Sequence, residues 1–200
     1  MLPPRWETET TDSNGAREGQ RGMTCAFISR GLILFAIGCI IRMALDLLQV
    51  EAKFSTLWLV PVSGLAAACI GLLYPYVTSN SMDDSDPPDG AMIIRCIAVF
   101  VGVYQASTKI YFSSYFELFM TLIALAVGMW WLFDRSKSGL TFCLLLAFIL
   151  ASVTQFLYKY KYTRHLVGSE FLYPRAWAIY FTVCVLFGTI GRWVQQLEYQ

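Results

Sequence analysis

Six apolar runs separated by short polar segments organise the chain. They span 27–48, 57–77, 91–107, 115–133, 140–158 and 176–193. Each run is about 19 residues, which at 1.5 Å per residue nearly crosses a ~30 Å hydrocarbon core. The runs are continuous rather than alternating, so they predict helices; a membrane barrel would show ~10-residue alternating segments. The pattern predicts an all-α, polytopic membrane protein with six transmembrane helices in one bundle spanning 27–193. Residues 1–26 are polar and mixed in charge and read as a disordered cytosolic N-terminal tail. They lack the apolar core of a signal peptide. Residues 194–200 read as a short cytosolic C-terminal tail. The segment TSNSMDDSDPPDG between the second and third runs has four Asp, two Pro and no Lys or Arg, and reads as a hydrophilic loop.

Departures from uniform apolarity mark the candidate chemistry. Arg42 and Asp46, spaced i, i+4, meet on one face of helix 1. They read first as a self-satisfied interfacial pair, and alternatively as part of an ion or proton path together with Glu117. In the fourth run Glu117, Thr121, Ala124, Gly128 and Trp131 recur at spacings of 4, 3, 4 and 3, forming one stripe. The stripe suits either close packing on a neighbouring helix or a groove for an elongated amphipathic lipid with a hydroxyl near Glu117 or Thr121. Gly64, Ala67, Ala68 and Gly71 in helix 2, and Gly188 and Gly191 in helix 6, are small-residue packing signals. Thr154 and Gln155 in helix 5 are placed to hydrogen-bond across the bundle.

The turn WWLFDRSKSG, 130–139, is the most distinctive segment. Two Trp anchor a helix end at the interface. Asp134 follows where the helix dipole is negative, an unfavourable place unless the residue caps the next helix. Ser136 and Ser138 lie among basic residues, as phosphorylation sites do.

Composition narrows the function classes. Hydrophobic residues make up 56% of the 200 positions and charged residues 14%. Soluble chains run at roughly 45–50% and about 25%, so a soluble enzyme carrying a membrane tag is excluded. The net charge of +1 offers no basic field for nucleic acid. Five of the six cysteines lie in apolar runs with no CxxC pair, which argues against a disulfide framework or zinc site. The single histidine, His165, falls in a loop, which excludes a centre needing two. No Ser/His/Asp set, HExxH, P-loop or GxGxxG is present, so neither a catalytic residue nor a metal or cofactor site is predicted. With the N-terminus cytosolic, eight Lys/Arg flank the cytosolic side and six the other, a weak preference for both termini in the cytosol. From the residues alone the order is a lipid-binding membrane protein, then a small transporter using Arg42, Asp46 and Glu117, then an enzyme.

The stretches RGLILFAIGCI, LLQV, GLLYPY, RCIAVFVGVYQASTKI, WWLFDRSKSG, FLYPRAW and GTIGRW occur in this order between Arg30 and Trp193. In this the chain resembles the Insig family of endoplasmic reticulum membrane proteins. The resemblance implies six spans, both termini cytosolic, and an oxysterol ligand with no cofactor. It further implies sterol-dependent retention of Scap, the escort of the SREBP transcription factors, and delivery of HMG-CoA reductase to membrane ubiquitin ligases. By resemblance Gly38, Phe100, Thr121 and Trp130 match sterol-site positions, Asp134 the aspartate needed for Scap binding, and Ser136 a regulatory phosphorylation site. Glu117 stands where the family carries glutamine, which alters the hydrogen bonding offered to a sterol hydroxyl. Arg42 and Asp46 replace usually uncharged residues and look like a paired substitution.

Overall fold

The computed structural model describes residues 5–48, 59–78, 89–109, 115–159 and 172–197. Six helices follow in chain order: α1 (Arg5–Leu48), α2 (Leu59–Thr78), α3 (Gly90–Lys109), α4 (Tyr115–Phe133), α5 (Lys137–Lys159) and α6 (Leu172–Leu197). Each contains a segment long and apolar enough to cross a membrane. The chain is thus built as a multi-pass membrane protein, all-α, with no strand among the described residues.

The helices extend past several apolar runs. α1 starts at Arg5, so most of the segment expected as a disordered tail is helical, although its membrane span begins at Ala26. No proline interrupts Arg5 to Leu48, and a helix nucleated in the apolar run propagates back at one hydrogen bond per residue. α5 starts at Lys137 and α6 runs to Leu197, into the expected C-terminal tail. The acidic loop 79–88, the loop 160–171 with His165, and residues 198–200 lie outside the described residues.

α6 is the central post. It packs against each of the other five helices, while α1 lies along α2, α3 along α4, and α2 also meets α5. Most of its span is buried, whereas the other five expose broad apolar faces, as at Leu32, Ile94 and Leu132. Lipid tails are as apolar as these side chains, so helix association rests on close packing and on polar contacts. Glycines supply the closeness. A Cβ at Gly38 would stand 2.6 Å from Ala67 Cβ and 3.1 Å from Gly64 Cα, so α1 and α2 touch through their backbones. α2 turns its Gly71 toward α6, where a Cβ would meet Phe187 O at 3.2 Å. Pro75 lies inside α2 and has no N–H for the carbonyl four residues back, that of Gly71. Gly191 of α6 packs against that carbonyl, where Cα–H groups approach oxygen closely. The small-residue signals in helices 2 and 6 therefore mark the α1–α2 and α2–α6 seams.

Thr154 Oγ1 and Tyr180 OH are 2.7 Å apart, joining α5 to α6. Gln155 is exposed and makes no such link. Arg42 Nη2 is 2.8 Å from Asp46 Oδ1, the i, i+4 pair expected on α1.

Candidate functional site

The richest polar cluster forms at the α4–α5 turn. α4 ends where Asp134 N and Arg135 N both donate to Trp130 O, at 2.9 and 3.1 Å. Arg135 takes a left-handed backbone, φ 52°. A side chain there costs about 1–2 kcal/mol, which is why glycine usually fills such a position. Its side chain folds back along α4, with Nε donating to Trp131 O at 3.2 Å and Cζ 5.5 Å from the Trp131 ring centre. Arg135→Gly should therefore leave stability within about 1 kcal/mol of the parent, the relieved backbone offsetting the lost ring contact. Thermal unfolding in detergent measures this, and a large loss would mean that the Arg135 side chain itself holds the turn.

Ser136, not Asp134, caps α5. Its Oγ accepts from Gly139 N at 3.1 Å, the third residue of the helix. Trp130 Nε1 donates to Ser136 O at 3.2 Å, tying the end of α4 to the start of α5. The capping role expected for Asp134 is thus taken by its neighbour two residues on.

Asp134 turns inward instead. Its side chain has no solvent exposure, and Oδ1 lies 3.0 Å from Arg192 Nη2 of α6, itself 7% exposed. Tyr74 OH of α2 donates to Oδ2, and Ser136 Oγ donates to the same oxygen at 3.1 Å. Arg192 Nη2 also reaches Phe133 O at 3.4 Å, with its Cζ 5.7 Å from the Tyr74 ring centre. The Arg192 cation offsets the unfavourable placement of a carboxylate at the C-terminal end of α4. Two glycines make room for this cage. A Cβ at Gly139 would collide with Tyr74 OH, Asp134 Oδ2 and Ser136 Oγ, and one at Gly188 would lie 2.6–2.8 Å from the Tyr74 ring. The Phe142 ring closes the side, 5.8 Å from Tyr74 and edge-on.

The residues implied by resemblance fall into four places. Trp130, Asp134 and Ser136 come together in the turn. Phe100 is buried on α3, its ring 6.4 Å from Tyr104. Gly38 lies in the α1–α2 seam. Glu117 and Thr121 are exposed on α4, with Glu117 about 25 Å along the helix from Asp134 at 1.5 Å per residue. The stripe they share with Ala124, Gly128 and Trp131 faces away from the bundle. The packed face of α4 is Leu118, Leu122, Ala126, Met129 and Phe133, and a Cβ at Gly128 would meet nothing within 4 Å. Of the two readings of that stripe, packing on another helix is removed among the described residues. The groove for an elongated amphipathic lipid, with a hydroxyl near Glu117 or Thr121, is the reading left.

Sequence reasoning missed Tyr74 and Arg192. Arg192 interrupts an otherwise apolar run at the same membrane side as Asp134, and that depth match of opposite charges was the available signal. Among the described residues no group of three or more His, Cys, Asp or Glu is placed to hold a metal ion.

The profile of the insulin-induced protein (INSIG) family matches residues 29–195, a span containing the turn and Arg192. The chain is 38% identical to the Insulin-induced gene 1 protein of Rattus norvegicus over 208 residues, covering 94% of this chain and 78% of that protein. To the protein of the same name from Xenopus tropicalis it is 40% identical over 186 residues, covering 84% and 72%.

Proposed function

We propose, because the chain belongs to the INSIG family, that it is an oxysterol-binding regulator of the endoplasmic reticulum membrane with both termini cytosolic. In this reading it holds the Scap–SREBP complex in that membrane when sterol is present. It also brings HMG-CoA reductase to membrane ubiquitin ligases, so that sterol synthesis is under feedback control.

The observation that carries the reading is the outward face of α4. Glu117 and Thr121 offer polar groups near one end, Ala124 and Gly128 add no bulk between them and Trp131, and no helix among the described residues covers the strip. An elongated lipid with a polar end fits such a strip lengthwise. Sterol seated there is covered only when a partner helix closes over it. By linkage, sterol then stabilises the complex by its differential affinity for the joined state. The transport reading is less well supported. Arg42 is closed on Asp46, and Glu117 lies on a different helix.

Binding of a tritiated side-chain oxysterol to the purified chain tests the reading. Thr121→Ala should weaken binding about tenfold, the effect of one lost hydrogen bond of about 1.4 kcal/mol. It is the cleaner variant, because Thr121 is exposed whereas Phe100 is 3% exposed and its truncation also costs core packing. Unchanged affinity in Thr121→Ala would move the sterol off α4. Absence of saturable oxysterol binding, with another lipid co-purifying, would favour a plain lipid-binding protein.

A regulatory role for Ser136 carries its own expectation. Ser136→Ala removes the α5 cap and should cost about 1 kcal/mol in thermal unfolding. Ser136→Glu, a crude stand-in for phosphate, sets a second carboxylate beside Asp134 and should cost more. Equal midpoints for the two variants would show that charge at Ser136 does not reach Asp134.

A further inference from the structure

Two buried cysteines face each other inside the bundle. Cys143 of α5 and Cys184 of α6 are 41 residues apart in the chain. Both are free thiols with no solvent exposure, and the two are hydrogen-bonded to each other. Spacing along the chain hides such a pair, because only the packing of α5 on α6 brings it together.

The helix register gives the same pairing independently. Gly139 of α5 and Gly188 of α6 both close on the Tyr74 side chain, one at its hydroxyl and one at its ring. Cys143 lies one turn after Gly139, and Cys184 lies one turn before Gly188. Successive spans cross the membrane in opposite directions, so both steps lead to the same layer. Ala147 and Ala151 continue the buried α5 stripe with 0% and 1% exposure, which keeps the seam narrow.

The surroundings decide what such a pair can do. Full burial of both side chains leaves no space for an added acyl chain or glutathione. Among the described residues no further Cys, His, Asp or Glu completes a metal-holding group with them. Their own joining is the covalent change that adds no atoms.

We propose that Cys143 and Cys184 are a redox modification site, a dithiol within the bilayer that lipid hydroperoxides oxidise to a disulfide, stapling α5 to α6 one turn from the Tyr74 contact. One hydroperoxide accepts both electrons. Its O–O bond breaks as the S–S bond forms, one thiol proton goes to each oxygen, and an alcohol and a water leave. Reactants and products are neutral, so the step leaves no buried charge. A lipid hydroperoxide reaches the seam through the hydrocarbon, which excludes charged oxidants. Buried thiols react slowly, so the pair is a slow latch rather than a fast sensor. The same burial shields the disulfide from glutathione, which is charged and stays in water. This site is independent of the sterol reading.

The test treats the reduced full chain in nanodiscs with cumene hydroperoxide, at a dose that oxidises the exposed Cys69 of α2. Digestion without reductant should give a peptide pair joined through Cys143 and Cys184, two hydrogens lighter than the reduced pair, from at least half of the chains. The oxidised chain should unfold on the order of 5–10 °C above the reduced one, as closure of a long loop predicts. Cys143→Ala and Cys184→Ala should each lose the linked peptide and the upward shift. When reduced, both should unfold within about 4 °C of the parent, which shows that they fold. Glutathione should leave the linked peptide intact, whereas tributylphosphine, which dissolves in the bilayer, should cleave it.

A Cys143–Cys184 pair still reduced at a dose that oxidises Cys69 would overturn the proposal. So would linkage chiefly to the buried Cys96 of α3, or cleavage by glutathione as fast as by the phosphine. A linked chain with an unchanged midpoint would show that the bond does not staple the seam, and would overturn it as well.

Discussion

Gly191→Ala is expected to cost the bundle more than about 3 kcal/mol and to lower its thermal midpoint in detergent by on the order of 10 °C. A Cβ at this position would lie 2.8 Å from Gly71 Cα and 2.9 Å from Gly71 C, and closer still to the carbonyl oxygen. All three are backbone atoms, so no rotamer change relieves the clash. Overpacking in a core usually costs about 1–3 kcal/mol because flexible side chains give way. Here α2 and α6 would have to separate, and α6 is the helix on which the other five pack. Gly102→Ala is the control. Its Cβ meets nothing within 4 Å, and the gain in helix propensity is up to about 1 kcal/mol. A Gly191→Ala protein that unfolds with the parent would mean that α2 and α6 cross at a wider distance.

The second large effect is expected at Arg192. Arg192→Met leaves Asp134 buried without its cation, a change that typically costs about 3–5 kcal/mol. The Tyr74 and Ser136 hydroxyls still donate to the carboxylate, but neither carries charge. Combining Arg192→Met with Asp134→Asn should recover most of the loss, because no uncompensated charge remains. Denaturant titration in mixed micelles measures both. Additive losses in the double variant would show that the two side chains are not coupled.

The two predictions concern contacts of different legibility. Gly191 and Gly71 were visible as small residues in apolar runs, which in membrane helices mark close packing. Which glycine meets which helix was not, since α2 carries small residues toward both α1 and α6. The turn 130–139 was visible as a site from its two Trp and mixed charges. The inward turn of Asp134 was not, because the Tyr74 hydroxyl that donates to it lies 60 residues away on α2. The Ser136 cap could have been found, since a serine three residues before Gly139 fits the capping spacing.

The extension of α1 into the polar N-terminal segment has a related reason. Its polar composition argues against burial, and a helix continuing out of the membrane needs none. Its backbone bonds are made within the helix, so α1 runs on from Arg5 by propagation alone.

What the amino-acid sequence determined by itself was the class of the protein: six apolar spans, their approximate ends, and a distinctive turn between the fourth and fifth. Length and polarity decide these, because the bilayer core admits only segments of the right length with satisfied backbones. Tertiary structure alone decided that α6 is central, that the α4 stripe faces outward, and that Asp134 is caged by Tyr74 and Arg192. In water a helix shows its buried face by polarity. In a membrane both faces are apolar, so the inward side is set by which helices approach closely enough to touch, and that is a property of the whole bundle.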